Sequence, residues 1–189
     1  MYPNKNFEKS KIVVATSPFI EDRFLDQETY FARLLQVLQE LKKVSSNILL
    51  KLHPRERHVK TYQKMMQQLE LQEGLCTETD REKHFSLLAE SDIIVTFGST
   101  VALEAMILGK PTLTVDFFDE NNPTNKLVIQ SGATPVVRYD QQFSEMVKKA
   151  IVKNRYHQEA QRFVKHLCFR VDGKAAERCV RYIVADKNN

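Results

Sequence analysis

Cysteine is scarce: Cys76, Cys168 and Cys179 are the only three among 189 residues. They are widely spaced and odd in number, and no CxxC or Cys/His zinc spacing accompanies them. Packed, reduced thiols are expected rather than a disulfide framework or a zinc site. No GxGxxG follows the first strand candidate and no GxxxxGK[ST] occurs anywhere, which argues against ordinary NAD enzymes and P-loop NTPases. Ser99 lacks a GxSxG elbow. The N-terminus has no signal-peptide apolar core, and the most apolar stretch, Ile93 to Val115, contains Glu104, Lys110 and Pro111, so it is no membrane span. A cytoplasmic location follows as the expectation, with the inner face of the membrane as its alternative. Neither internal repeats nor low-complexity segments are visible. The net charge of +4 is modest. Nucleic acid is not implied, and a phosphorylated ligand or an anionic membrane surface suits that charge equally well.

The length fits one domain able to bury a core without disulfides or metal. Residues 1–10 read as a tail or linker and residues 11–186 as a single domain. Short apolar runs without alternation mark strands buried on both faces: Lys11 to Ala15, Asn47 to Leu52, Asp92 to Thr96 and Thr112 to Val115, with Leu75 to Thr77 and Thr134 to Arg138 as shorter candidates. Between them lie helical patterns. Phe31, Leu34, Leu35, Leu38 and Leu41 define a helix over 28–43 that Asp26 can cap. Val59, Tyr62, Met66 and Leu69 point inward from a second, and a third that Asp80 opens holds Phe85 and Leu88. A short helix is expected over 125–130, a longer one through Phe143, Met146, Val147, Ala150 and Ile151, and two more over 156–167 and 174–186. Strands alternating with helices predict a three-layer α/β/α, Rossmann-like domain with a mainly parallel sheet of five to six strands.

The stretch Ser91 to Asp116 organises the rest. Its strand runs into Phe97-Gly98-Ser99-Thr100, where Gly98 can take angles a Cβ forbids and Ser99 or Thr100 can cap the helix that follows. Gly109 ends that helix, with Lys110 in its last turn and Pro111 beyond. A glycine-bearing turn at a helix start makes an anion site, and Glu104 lies one turn below Thr100 on the same face, within reach of the ribose of a nucleotide whose phosphates occupy the turn. A solvated surface Glu is the bland alternative. In open parallel sheets ligands bind at the C-terminal strand ends. Three candidate segments fall there: Thr16-Ser17-Pro18, His53-Pro54-Arg55 and Gly98-Ser99-Thr100. Pro54 restricts His53 to extended geometry, and Lys51, Arg55 and Arg57 surround it, so its imidazole is placed to hydrogen-bond a phosphate. His58, His84, His157 and His166 have no such context and read as surface or packing residues. Asp116, Asp119 and Glu120 form an acidic loop that reads as solvated; no metal is assigned.

KLHPRE at Lys51 to Glu56, SDIIVTFGSTVALEAMILGKP at Ser91 to Pro111 and VDGKAAERCVRYI at Val171 to Ile183 together resemble the C-terminal, nucleotide-sugar-binding half of GT-B glycosyltransferases. The resemblance is to bacterial surface-polysaccharide enzymes of polysialyltransferase and CDP-glycerol glycerophosphotransferase type and, more distantly, to UDP-N-acetylglucosamine 2-epimerases. It implies a donor-binding domain for a nucleotide-sugar or CDP-linked donor, held as substrate without a further cofactor. By the same resemblance His53 is the catalytic residue, contacting the donor phosphates with Ser99 and Thr100, while Glu104 contacts the ribose. Gly98, Ser17 and Arg55 complete the expected donor site. Thr96-Phe97-Gly98-Ser99 departs from the Asp-Ser-Gly-Gly turn of the epimerases and from the Thr-Asp-Tyr-Ser-Ser turn of the glycerophosphotransferases. Half of an epimerase or hydrolase, and a non-catalytic nucleotide- or phosphate-binding module, are the alternative readings. The resemblance also implies a missing N-terminal GT-B domain, in the same chain or as a separate partner. The apolar stripes Tyr156, Ala160, Phe163, Val164, Leu167 and Ala176, Cys179, Val180, Ile183 need that cover, a homodimer, or the sheet itself.

Overall fold

A computed structural model describes residues 6–71, 74–76, 81–118, 126–152 and 155–185. Six strands are described, β1 (Ile12–Ala15), β2 (Ile48–Lys51), β3 (Leu75–Cys76), β4 (Ile93–Thr96), β5 (Thr112–Asp116) and β6 (Val136–Arg138), and every pairing is parallel. Their spatial order is β3-β2-β1-β4-β5-β6. The chain therefore reverses its direction of travel across the sheet between β1 and β4, where open sheets of this type leave a crevice.

Alternate residues of a strand face opposite sides of the sheet, and each side has its own core. Ile12, Val14, Ile48, Leu50, Ile93 and Val95 face the helices α1 (Gln27–Lys42), α2 (Val59–Gln68) and α6 (Ser144–Val152) through Leu34, Leu38, Met66 and Val147. Val13 and Ile94 face α3 (Arg81–Glu90) and α4 (Val101–Ile107) through Leu88 and Ala105. Beyond them, Ala102 and Met106 of α4 pack on Val128 of α5 (Lys126–Gln130) and on Ala160 and Val164 of α7 (His157–Cys168). These are the three expected layers.

Local chemistry sets the ends of these elements. Asp26 Oδ1 accepts the Thr29 N–H at 2.8 Å, the expected cap of α1. Gly109, at φ +69°, turns the chain out of α4, and Lys110 lies past the helix end and donates to the Ser91 carbonyl at 3.1 Å. Glu40 of α1 accepts the Phe143 N–H at 3.2 Å, fixing the start of α6. Phe7–Lys9 forms a short 3-10 turn, and Phe7 packs against the main core.

Helices α3 and α6 bury their apolar residues unevenly. Phe85 is 42 % exposed and Met146 38 % exposed, while Leu88 and Val147 on the same helices are fully buried. Thr77, Asp80 and Asn125, expected at element ends, lie outside the described residues. The stripes of the last two helices diverge. Ala160 and Val164 of α7 are buried against α4 and α5, whereas Val180, Ile183 and Val184 of α8 (Ala175–Ala185) are 59, 58 and 54 % exposed.

Candidate functional site

Strand register brings the three candidate segments together. Ala15 of β1 is paired with Lys51 on one side and with Thr96 on the other. The segments that follow, 16–18, 52–55 and 97–100, leave adjacent strands at the same height. With strands about 4.8 Å apart, the His53 and Gly98 segments are separated by about 10 Å, a span a diphosphate can bridge.

Their floor is aromatic. Phe19, 4 % exposed, meets the rings of Phe24, Tyr30, Phe97, Phe117 and Phe118 at centroid distances of 5.1 to 6.5 Å, most of them edge-on. Phe97 and Phe117 stand 4.3 Å apart. The loops above thus rest on rings that cannot move independently.

A buried polar network then sets the His53 loop. Glu56 accepts hydrogen bonds from the hydroxyls of Thr16, Tyr62 and Tyr30 and, at 2.6 Å, from the His53 N–H. Thr16, Tyr30 and Tyr62 are each at most 3 % exposed. Burial raises the Glu56 carboxyl above its usual range, and the four donors offset part of that shift. The carboxylate ties the β1 loop to the β2 loop.

His53 itself is half-buried. Its Nδ1 accepts the Arg55 N–H at 3.2 Å, which leaves the proton of the neutral ring on Nε2. Partial burial, then the Arg55 and Lys51 charges, lower its pKa from the ordinary histidine value, against an opposing pull from Asp22 and Glu21. The ring therefore stands at neutral pH as an uncharged Nε2–H donor. Arg55 is exposed, with its guanidinium forked onto both oxygens of Asp22 at 2.5 and 2.9 Å. A depression of about 500 Å³, lined by Glu21, Pro54, Arg55 and Arg57, adjoins this loop.

Across β1, Gly98 is buried at φ +81°. A Cβ here would strain the backbone. Ser99 Oγ accepts the Val101 N–H at 3.2 Å, and Thr100 occupies the cap position without a side-chain cap bond. The N–H groups of Ser99 and Thr100 have no acceptor among the described residues. Ser17 is buried at 7 % exposure, and its carbonyl accepts the Phe19 N–H; its visible role is to shape the loop. Asp116 Oδ1 accepts the Phe118 N–H at 3.0 Å, while Asp119 and Glu120 lie outside the described residues. Among the described residues no three side chains could hold a metal together.

Glu104 is 35 % exposed and is not a free surface carboxylate: its Oε2 lies 2.5 Å from His84 Nε2. His84 and Glu56 are the two residues that sequence reasoning missed. The C-terminal edge of β2, β1 and β4 thus carries the His53 ring and the Gly98 turn on strands either side of β1, with the Glu104 carboxylate one helical turn beyond Thr100.

One family pattern, described as UDP-N-acetylglucosamine 2-epimerase, matches residues 11–184. The chain belongs to the UDP-N-acetylglucosamine 2-epimerase family. The resemblance named that family among the more distant relatives, and the match covers nearly the whole chain. Among solved structures, the Staphylococcus aureus MnaA–UDP complex is 17 % identical, with TM-score 0.63 over 97 % of this chain and 48 % of that one. The Neisseria meningitidis UDP-GlcNAc 2-epimerase bound to UDP-GlcNAc is 20 % identical, with TM-score 0.52 over 85 % and 45 %. The wall teichoic acid polymerase TagF is 16 % identical, with TM-score 0.50 over 94 % and 43 %. These structures share this GT-B-type Rossmann-like fold, and the chain spans about half the length of each of the three. Comparison with curated proteins gave no match. Among the described residues no helix is long and apolar enough to cross a membrane.

Proposed function

We propose that this domain is the nucleotide-binding half of an enzyme acting on a nucleotide-activated sugar, and that it holds the diphosphate in the crevice above β1. The observation that supports this reading is the shared register of β2, β1 and β4, which brings the His53 and Gly98 segments to one edge of the sheet, with the N–H groups of Ser99 and Thr100 lacking an acceptor among the described residues. Donors held there before the ligand arrives stabilise the negative charge that grows on a departing phosphate, without reorganising during the reaction. His53 is the catalytic group in this scheme. Ser99 and Thr100 bind phosphate at the Gly98 turn, Glu104 takes the ribose, and Arg55 is a further phosphate contact once it leaves Asp22. The second half of the enzyme, in the same chain or in another, supplies the acceptor groups and covers α8, whose apolar face is bare.

Thr96-Phe97-Gly98-Ser99 in place of Asp-Ser-Gly-Gly favours a glycosyltransferase of bacterial surface-polysaccharide synthesis. The family match over residues 11–184 favours the second reading, half of an epimerase. Both need the same diphosphate site. UDP or CDP at ~100 times its dissociation constant should add about 2.7 kcal/mol of stability, read as a rise in melting temperature. Neither nucleotide shifting the melting temperature at millimolar concentration would contradict the proposal.

A further inference from the structure

His84 and Glu104 come from different helices, and the fold brings them together at the site. α3 runs back from the C-terminal edge of the sheet and α4 leaves the same edge. Leu88 and Ala105 lock the two helices together over Val13 and Ile94. His84 lies one turn before Leu88, and Glu104 is the residue before Ala105, so the helix contact that builds the core also sets this pair.

The proton on His84 can be placed. Its Nδ1 is buried and has no hydrogen-bond partner among the described residues. A proton there would be a buried donor with nothing to bind, which is costly. The neutral ring therefore carries its proton on Nε2 and donates it to Glu104 Oε2 at 2.5 Å. The histidine side chain is 14 % exposed and the glutamate 35 %. The carboxylate is thus held from its covered side, and its lone pairs remain available on the open side.

We infer that His84 is a positioning residue: it fixes the Glu104 carboxylate as an acceptor for a ribose hydroxyl and thereby makes the site prefer ribonucleotides to 2′-deoxyribonucleotides. This rests on the nucleotide reading above. Glu104 stands one helical turn, about 5.4 Å, from Thr100 at the phosphate turn, and an ionised carboxylate there offers only acceptor oxygens, the partner a ribose hydroxyl requires. Without His84 the carboxylate would swing among rotamers, and part of its attraction for the hydroxyl would go into ordering it.

The test is the ratio of dissociation constants for UDP and 2′-deoxy-UDP, with CDP and 2′-deoxy-CDP in parallel, measured by titration calorimetry. The wild type should prefer the ribonucleotide on the order of tenfold, the worth of one hydrogen bond to a charged acceptor. Glu104→Ala should abolish the preference, His84→Ala should lower it to within about twofold of unity, and His84→Gln, which keeps an N–H donor for the carboxylate, should restore most of it. Inorganic pyrophosphate should bind all variants alike, a readout that a general loss of fold would move. A His84→Ala protein that keeps the full preference while Glu104→Ala loses it overturns the inference and leaves the nucleotide reading standing. Equal binding of UDP and 2′-deoxy-UDP by the wild type overturns it in the same way. Failure of the wild type to bind either ribonucleotide is a failure of the nucleotide reading and takes the inference with it.

Discussion

Phe97 and Tyr182 are both large aromatic residues on this chain, yet Phe97 is 2 % exposed and Tyr182 is 76 % exposed. The first lies under the Gly98 turn in a cluster of rings, with a buried carboxylate network beside it. The second stands on α8, where Val180, Ile183 and Val184 are more than half exposed as well. The difference separates what the domain supplies for itself from what it offers to something else. The site loops are held by contacts internal to the domain, so they are organised before any ligand arrives. α8 has the apolar stripe of a packed helix without the packing, and exposed apolar surface of that kind marks an interaction site.

Substitutions at matched positions should break this contrast most plainly. Phe97→Ala or Phe117→Ala should cost about 3–5 kcal/mol, because each empties a filled core position. Ile183→Ala or Tyr182→Ala should stay within about 0.5 kcal/mol in the isolated domain. Urea unfolding of the four variants checks the prediction, and comparable losses at both ends would erase the distinction. Next in size is the buried carboxylate. Glu56→Ala strips the acceptor from Tyr62, Thr16 and the His53 N–H, so it should destabilise by about 2 kcal/mol. Tyr62→Phe, which removes only one donor, should cost about 1 kcal/mol.

How much of this was legible in the sequence follows from the range of the interactions. The strands show because β-branched runs such as Ile93-Ile94-Val95 suit burial on both faces wherever they sit. The alignment of three loops at one edge follows from strand order, which handedness rules constrain. Asp26 and Gly109 act within a few residues, and their roles were readable. Glu56 was within reach: a carboxylate three residues after His53 can turn back to its N–H, as in a reciprocal cap. His84 was not, because its partner is twenty residues away and their meeting depends on how α3 packs on α4. The exposure of Phe85 and the burial of Ser17 were equally tertiary. For the last two helices the periodicity gave matching stripes, and only the packing of α7 on α4 distinguished the covered one from the bare one.

Smaller effects should refine the site side of the comparison. Ser99→Ala and Thr100→Ala should each weaken UDP binding by roughly 0.5–1.5 kcal/mol. His53→Ala should weaken UDP more than uridine, and equal losses would place His53 on the base or in the scaffold. The smallest effect is that of pH. In the free domain the His53 pKa is lowered, and a phosphate beside it would raise it again. Binding then takes up protons, so the His53 contribution to UDP affinity should rise as pH falls through the pKa of the bound ring toward the lowered pKa of the free one. The His53→Gln protein should lose that part of the slope, and the remainder belongs to the phosphate's own titration near pH ~6. The sign for stability is separate. A histidine with a lowered native pKa contributes most above its unfolded value of about 6.5 and loses that contribution as pH falls through the native pKa.

Hydrogen exchange with and without UDP, read beside the mass in solution, tests both sides at once. The account predicts that UDP slows exchange in the segments around Thr16, His53 and Gly98 to Thr100. It also predicts that in the isolated domain the amides of α8 exchange much faster than those of Ile93 to Val95 in either state, unless a dimer is formed. A monomer whose α8 exchanges as slowly as β4, with loops that do not respond to UDP, would contradict it.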